Sequence, residues 1–225
     1  MKIGVVSGLP RESACFDAIP RAQRNFETFA GIGPERAANG AEALIGAGAR
    51  GLLSFGVAGG LAMTAPAGAV VLAEAVVDGD RRYPTDATWR DQICASISGA
   101  CEVIFGTLAG TDRMISTPDG KQGLHRHSAA VACDMESHAV ARVAARHGIP
   151  FVVIRAISDP HDRCVPSWVL GCLTPKGDVR MGVLLWQAAR RPRSWANLAG
   201  LNRDSKSAFA SLRGVALRLG PELCF

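Results

Sequence analysis

Phe151-Val152-Val153-Ile154-Arg155-Ala156-Ile157-Ser158-Asp159 is a continuous, mostly apolar run that ends in a carboxylate. Such a run reads as a strand buried on both faces rather than one alternating between core and solvent. Just upstream, Cys133-Asp134-Met135-Glu136-Ser137 opens a helix. Further runs of the same kind occur at Ile3–Ser7, Gly51–Phe55, Val70–Val77 and Val103–Leu108, with helical signals between them. Gly31-Ile32-Gly33-Pro34 precedes a helix from about Glu35 to Gly48, with Pro34 at a first-turn position that needs no backbone N–H. Buried strands separated by helices predict an α/β fold: three layers, with a central mixed, mostly parallel sheet flanked by helices. In such sheets ligands bind beyond the carboxyl ends of strands. Glu12, the glycine-rich segment Phe55-Gly56-Val57-Ala58-Gly59-Gly60-Leu61, Asp112 and Asp159 all follow such an end.

Length and composition set the bounds. The chain has 225 residues, 48% of them hydrophobic and 20% charged, which suits one α/β domain with a sizeable core and excludes disorder. No internal repeat or linker is visible, so residues 1–225 are expected to form one domain. Residues 165–225 stand out as a basic, apolar, helical tail. No run of about 18 apolar residues predicts a spanning helix. The seven cysteines are irregularly spaced and form no CxxC or Cys/His pattern, so reduced thiols in a cytosol and no metal are expected. From Lys176 to Arg218 there are nine Lys/Arg against two acids, a balance of +7 within a net charge of +5, which leaves −2 for the rest. A basic tail can meet nucleic acid, an anionic membrane or only solvent. No aromatic stacking platform accompanies it, so nucleic acid is the poorest of these fits.

The acids each have a plain reading and a chemical one. Asp134 and Glu136 stand where a helix starts, and either can cap it. Glu136 can also chelate two neighbouring sugar hydroxyls with its two oxygens. Asp159 precedes Pro160 and can form a turn, or it can act as a general acid on a leaving group. Glu12 can polarise a water or support a ribose. The glycine-rich segment reads as a turn, without the GxGxxG spacing or the lysine of a P-loop.

In order, the segments Met1–Val6 with Glu12, Gly31–Pro34, Gly56–Gly60, Asp134-Met135-Glu136 and Arg155–Asp159 resemble the purine nucleoside phosphorylase and methylthioadenosine/adenosylhomocysteine nucleosidase superfamily. Within it, the stretch Gly31–Leu61 and the Arg-, Leu- and Trp-bearing tail are most similar to the hopanoid-associated phosphorylases, or adenosylhopane nucleosidases. The resemblance implies cleavage of the N-glycosidic bond of a purine nucleoside, with Asp159 protonating N7 of adenine. It implies that Glu136 binds the ribose hydroxyls, Met135 packs on the sugar, and Glu12 holds the attacking water, or the neighbouring ribose hydroxyls if phosphate attacks. It places Met114 and Ile115 against the base, and Val57, Ala58, Gly59 and Ser158 around the substrate. It implies no cofactor beyond inorganic phosphate as a co-substrate, and a homo-oligomer.

Val57 departs from the family pattern, where many relatives carry a Ser or Thr hydroxyl near the nucleophile. Phosphate would then depend on backbone N–H groups, or on Arg11, Arg21 and Arg24. Water is therefore the favoured nucleophile. The expected reaction is release of adenine from adenosylhopane in hopanoid side-chain biosynthesis. A soluble methylthioadenosine/adenosylhomocysteine nucleosidase is the alternative enzyme, and a catalytically silent nucleoside-binding protein the alternative class. In the first reading Trp168, Val169, Leu170 and Leu173, with Val183, Leu184, Leu185 and Trp186, line a channel for the triterpene. Arg190, Arg191 and Arg193 then meet lipid phosphates on the inner face of the cytoplasmic membrane. The plainer use of the same apolar residues is to cover the sheet or an oligomer interface.

Overall fold

A computed structural model describes residues 1–99, 101–166, 168, 190 and 195–225. The channel residues Val169, Leu170, Leu173, Val183, Leu184, Leu185 and Trp186, with Arg191 and Arg193, lie outside the described residues. In chain order the described elements are β1 (Ile3–Ser7), α1 (Pro10–Ser13), β2 (Phe26–Ala30), α2 (Pro34–Gly46), β3 (Gly51–Gly60), β4 (Val70–Asp78) and β5 (Arg81–Pro84). Then come α3 (Ala87–Ile97), β6 (Val103–Gly110), α4 (Pro118–Ser128), β7 (Ala132–Asp134), α5 (Ser137–His147), β8 (Phe151–Asp159) and a C-terminal helix, Trp195–Leu219.

The sheet is mixed and mostly parallel, as the apolar runs predict. Its order is β2-β1-β3-β7-β6-β4-β5, and β8 pairs with both β3 and β4. That double pairing closes β3, β8, β4, β6 and β7 into a ring of strands. Helices cover it on both sides. Phe16, Trp89 and Ile93 pack with Phe209 and Leu212 of the C-terminal helix against Ile3, Leu53 and Ile154. On the opposite side Ala37, Ala41 and Leu44 of α2 meet Val140 and Val143 of α5 over Val6, Leu52 and Val153. The small residues on α2 let it approach α5 closely.

Two sequence expectations are corrected. The glycine-rich segment is not a turn after a strand but the last half of β3, which runs on to Gly60. Cys133 and Asp134 close the short strand β7, and the helix begins at Ser137 rather than at Cys133. The last part of the tail is core: Ala208, Phe209, Leu212, Val215, Ala216 and Leu219 are buried. Trp89 also donates its indole N–H to the Leu223 carbonyl at 2.8 Å, and the Phe225 ring stands edge-on to it. Covering the sheet is thus the use that this helix makes of its apolar face. Among the described residues no helix is long and apolar enough to cross a membrane.

One irregularity aims the site. In the parallel pairing of β3 with β8, Ala58 faces Ile157 but Gly59 faces Asp159, so Ser158 is an extra residue on β8. Such a bulge breaks the in–out alternation and redirects the next side chain. Here that side chain is Asp159.

Candidate active site

Arg155, in the middle of β8, is fully buried. Its guanidinium lies 2.5 Å from Asp134 and 4.0 Å from Glu136, and donates to Ser54 at 2.8 Å and Ser137 at 3.1 Å. Asp134 also accepts the Ser137 backbone N–H at 3.1 Å, so it caps α5 as its place in the sequence suggests, and balances the arginine as well. Glu136 is held from the opposite wall, where Gly33 donates its N–H to Oε1 at 3.0 Å. Gly33 sits at φ 88°, a region that glycine enters without strain, immediately before Pro34 starts α2.

Glu12 comes from the short helix α1. Its carboxylate accepts the Leu9 N–H at 2.8 Å at the start of that helix and the Val57 N–H at 2.8 Å from β3. Gly56 makes this possible: a Cβ there would run into the Arg155 guanidinium and come within 2.6 Å of the Glu12 carboxyl. Glu12, Asp134, Glu136 and Arg155 therefore form one buried group of three acids and one cation. Burial raises the proton affinity of Glu12 above that of an ordinary carboxylate, against the opposing pull of Arg155. Glu136 is pushed up to about 7, first by burial and then by Asp134.

Asp159 stands at the end of β8 and is buried as well. The Ser158 hydroxyl donates to Oδ1 at 2.7 Å, and the Lys121 ammonium lies 2.6 Å from Oδ2. Burial raises the affinity of the Asp159 carboxyl for a proton, and Lys121 counters it. Gly59 again allows close approach, since a Cβ there would lie 3.1 Å from Asp159 Oδ2 and 3.5 Å from Cys133 Sγ.

The remaining sequence candidates fall around these acids. Ser158 also donates weakly to the Ala58 carbonyl at 3.3 Å. Ile115 packs on Leu61, Ala109, Ala130 and Cys133, and so borders the Asp159 end. Met114 precedes it, and Met135 lies between Asp134 and Glu136; both are half-buried. The arginines considered for phosphate are engaged elsewhere or exposed. Arg24 donates to the Ile19 and Phe16 carbonyls, Arg11 lies over the Phe209 ring, and Arg21 is on the surface. A groove of about 750 Å³ runs past Pro34, Ala38, Tyr83, Arg142 and Arg146 and is lined by none of the four acids.

The family profile of the phosphorylase superfamily matches residues 28–167. This chain belongs to the phosphorylase superfamily. Futalosine hydrolase of Streptomyces coelicolor is 33% identical over 167 residues, covering 63% of this chain and 70% of that protein. Two solved structures share the fold at 17% identity. Futalosine hydrolase of Helicobacter pylori superposes with a TM-score of 0.69 over 96% of this chain and 97% of that one. The 5′-methylthioadenosine/S-adenosylhomocysteine nucleosidase of Neisseria meningitidis, bound to methylthio-immucillin-A, does so with 0.70 over 97% of each.

Two residues of this superfamily member escape sequence reasoning. Arg155 stands within the quoted strand, where nothing but its charge in an apolar run marks it as the centre of a buried group. Lys121 lies in the polar stretch Pro118-Asp119-Gly120-Lys121-Gln122, which carries the signature of a solvated helix. An unpaired lysine there gives no sign that it is fully buried.

Proposed function

We propose that this protein hydrolyses the N-glycosidic bond of an adenine nucleoside, and that its substrate is adenosylhopane. The observation that carries the reaction is the opposite surroundings of its two principal carboxyls, Glu12 in the acid-rich group and Asp159 beside a cation. Asp159 gives a proton to N7 of the base as the C1′–N9 bond breaks and its electron pair leaves with adenine. Glu136 accepts the ribose 2′- and 3′-hydroxyls, with Met135 against the sugar. Glu12 takes a proton from the water that adds to C1′, its raised proton affinity suiting it to a base.

Water is favoured over phosphate on electrostatic grounds. Arg155 is already shared among three acids, and the Val57 N–H is committed to Glu12. A phosphate dianion in that place would face carboxylates with no cation to spare among the described residues. The hopanoid substituent rests on the sequence resemblance and on the basic, Trp-bearing tail. A second reading is favoured by the similarity to a futalosine hydrolase: futalosine itself as the substrate.

Base release should be measured with methylthioadenosine, futalosine and a 5′-hopanyl adenosine, each with and without phosphate. The proposal expects the hopanyl substrate to be fastest, with no dependence on phosphate. Preference for either soluble nucleoside would overturn the lipid substituent, and a phosphate requirement would overturn hydrolysis. Asp159→Asn should lower kcat about 10³-fold with the fold intact. Near-normal base release by that variant would remove Asp159 as the acid.

A further inference from the structure

Lys121 is the only lysine among the described residues with no exposed surface. It sits in the first turn of α4, after the Thr117 cap and Pro118, where the helix dipole opposes a cation. Something specific must hold it there. Its ammonium lies 2.6 Å from Asp159 Oδ2, 2.9 Å from the Asp159 carbonyl, 2.9 Å from the Pro160 carbonyl and 3.2 Å from the Arg163 carbonyl. One cation thus binds the candidate acid and, through the Pro160 and Arg163 carbonyls, two of the four residues that follow it. A buried cation is tolerated only with such partners.

We propose that Lys121 is the positioning residue for Asp159: it fixes the carboxyl and the loop after β8, and it balances the charge left when the carboxyl gives up its proton. This rests on the reaction proposed above. Burial tightens the hold of the Asp159 carboxyl on its proton, and Lys121 opposes that effect. As the O–H bond of Asp159 breaks and the proton goes to the base, negative charge grows on the carboxylate. A fixed cation at hydrogen-bond distance stabilises that charge without reorganisation. Other groups near Asp159 contribute less. The Cys133 thiol is pushed up to about 12 by burial and stays neutral, the Ser158 hydroxyl donates to Oδ1, and Asp204 of the C-terminal helix is paired with Arg163 at 2.9 Å.

The test compares Lys121→Met with Lys121→Arg across pH, using whichever nucleoside the wild-type protein cleaves fastest. Asp159 must be protonated to act, so activity falls on the alkaline side as it ionises. Removing the cation raises the proton affinity of the carboxyl, so in Lys121→Met that limb moves to higher pH. The kcat of this variant falls about 10²-fold while KM changes little. Lys121→Arg keeps a cation and retains the wild-type limb. A folded Lys121→Met with an unmoved limb, or with kcat within about twofold of wild type, overturns the proposal.

If Lys121→Met does not fold, the wild-type protein carries the test by NMR. The carbon-13 signal of the Asp159 carboxyl, assigned by its loss in Asp159→Asn, is followed with the nitrogen-15 signal of the Lys121 ammonium. The Lys121 signal moves in step with the carboxyl titration if the two are coupled; a lysine signal that ignores it overturns the proposal. Absence of base release from every nucleoside would instead defeat the reaction itself, and the NMR titration would still report on the pair.

Discussion

The two buried ionic groups of this protein differ in their balance of charge. Around Arg155 three acids share one cation, and two of the three, Glu12 and Glu136, hold protons more tightly than free carboxylates do. At Asp159 one acid faces one cation, and the remaining partners of that cation are neutral carbonyls. The first arrangement suits a group that must accept a proton, and the second a group that must release one. Burial raises the proton affinity of Asp159 as well, and what separates it from Glu12 is the single cation that opposes that rise without competing acids. Both groups hang from the same strand, Arg155 at its middle and Asp159 at its end.

The comparison breaks most severely if its crowded half loses its cation. Arg155→Met leaves Asp134, Glu136 and Glu12 buried with no positive partner. Removing one side of a buried ion pair costs about 3–5 kcal/mol. Urea denaturation should show a loss in that range, partly recovered in Arg155→Met/Asp134→Asn, where the most tightly paired acid is also neutral. Arg50→Met, on the exposed surface, is the control, and its effect should stay within about 0.5 kcal/mol. Equal losses in Arg155→Met and Arg50→Met would mean that the guanidinium does not hold the acids together.

Glu136 sharpens the same comparison through pH. Its folded carboxyl titrates at about 7 against 4.5 in a free chain, so the folded state binds its proton more tightly. Its contribution therefore favours folding at low pH and is lost as pH rises from about 4.5 through 7. Glu136→Gln cannot ionise and escapes that loss. It should match wild type in stability near pH 4 and exceed it at pH 8 by on the order of 2 kcal/mol. Weaker bonds to ribose should raise KM about tenfold at pH 8. Parallel stability curves for the two proteins across this range would show that the crowding of acids does not act on Glu136.

The sequence makes the scaffold plain and the balancing charges obscure, for a physical reason. β1 and β8 are legible to the residue because buried parallel strands must be apolar without interruption. The start of α2 is legible because Pro34 has one comfortable place in a helix. Edge strand β2, Phe-Glu-Thr-Phe-Ala, and the three-residue β7 lack that continuity. Gly56 and Gly59 look like a turn because glycine so often makes one. In β3 they serve instead to let Glu12, Arg155 and Asp159 come against the strand, a demand that only the folded structure reveals. Acids at element ends stand out in an apolar background. The cations opposite them come from Lys121, 38 residues away on a polar helix, and from a strand interior. No spacing rule links them.

The gentlest test approaches the Asp159 pair from outside. Arg163 passes its carbonyl to Lys121 and its guanidinium to Asp204, which is nearly buried on the C-terminal helix. Asp204 also raises the proton affinity of Asp159 slightly through space. Arg163→Met leaves the Asp204 charge without that partner and strengthens its influence, whereas Asp204→Asn removes it. The alkaline limb of activity should therefore shift upward in Arg163→Met and downward in Asp204→Asn. Each variant should lose about 1 kcal/mol of stability, because the ion pair is partly exposed, and less than about tenfold in kcat. Opposite shifts from two variants that break the same ion pair cannot come from loosening of the helix, which would move both in one direction. Shifts of the same sign would show that the C-terminal helix supports Asp159 only by packing, and that the charge balance at this acid ends with Lys121.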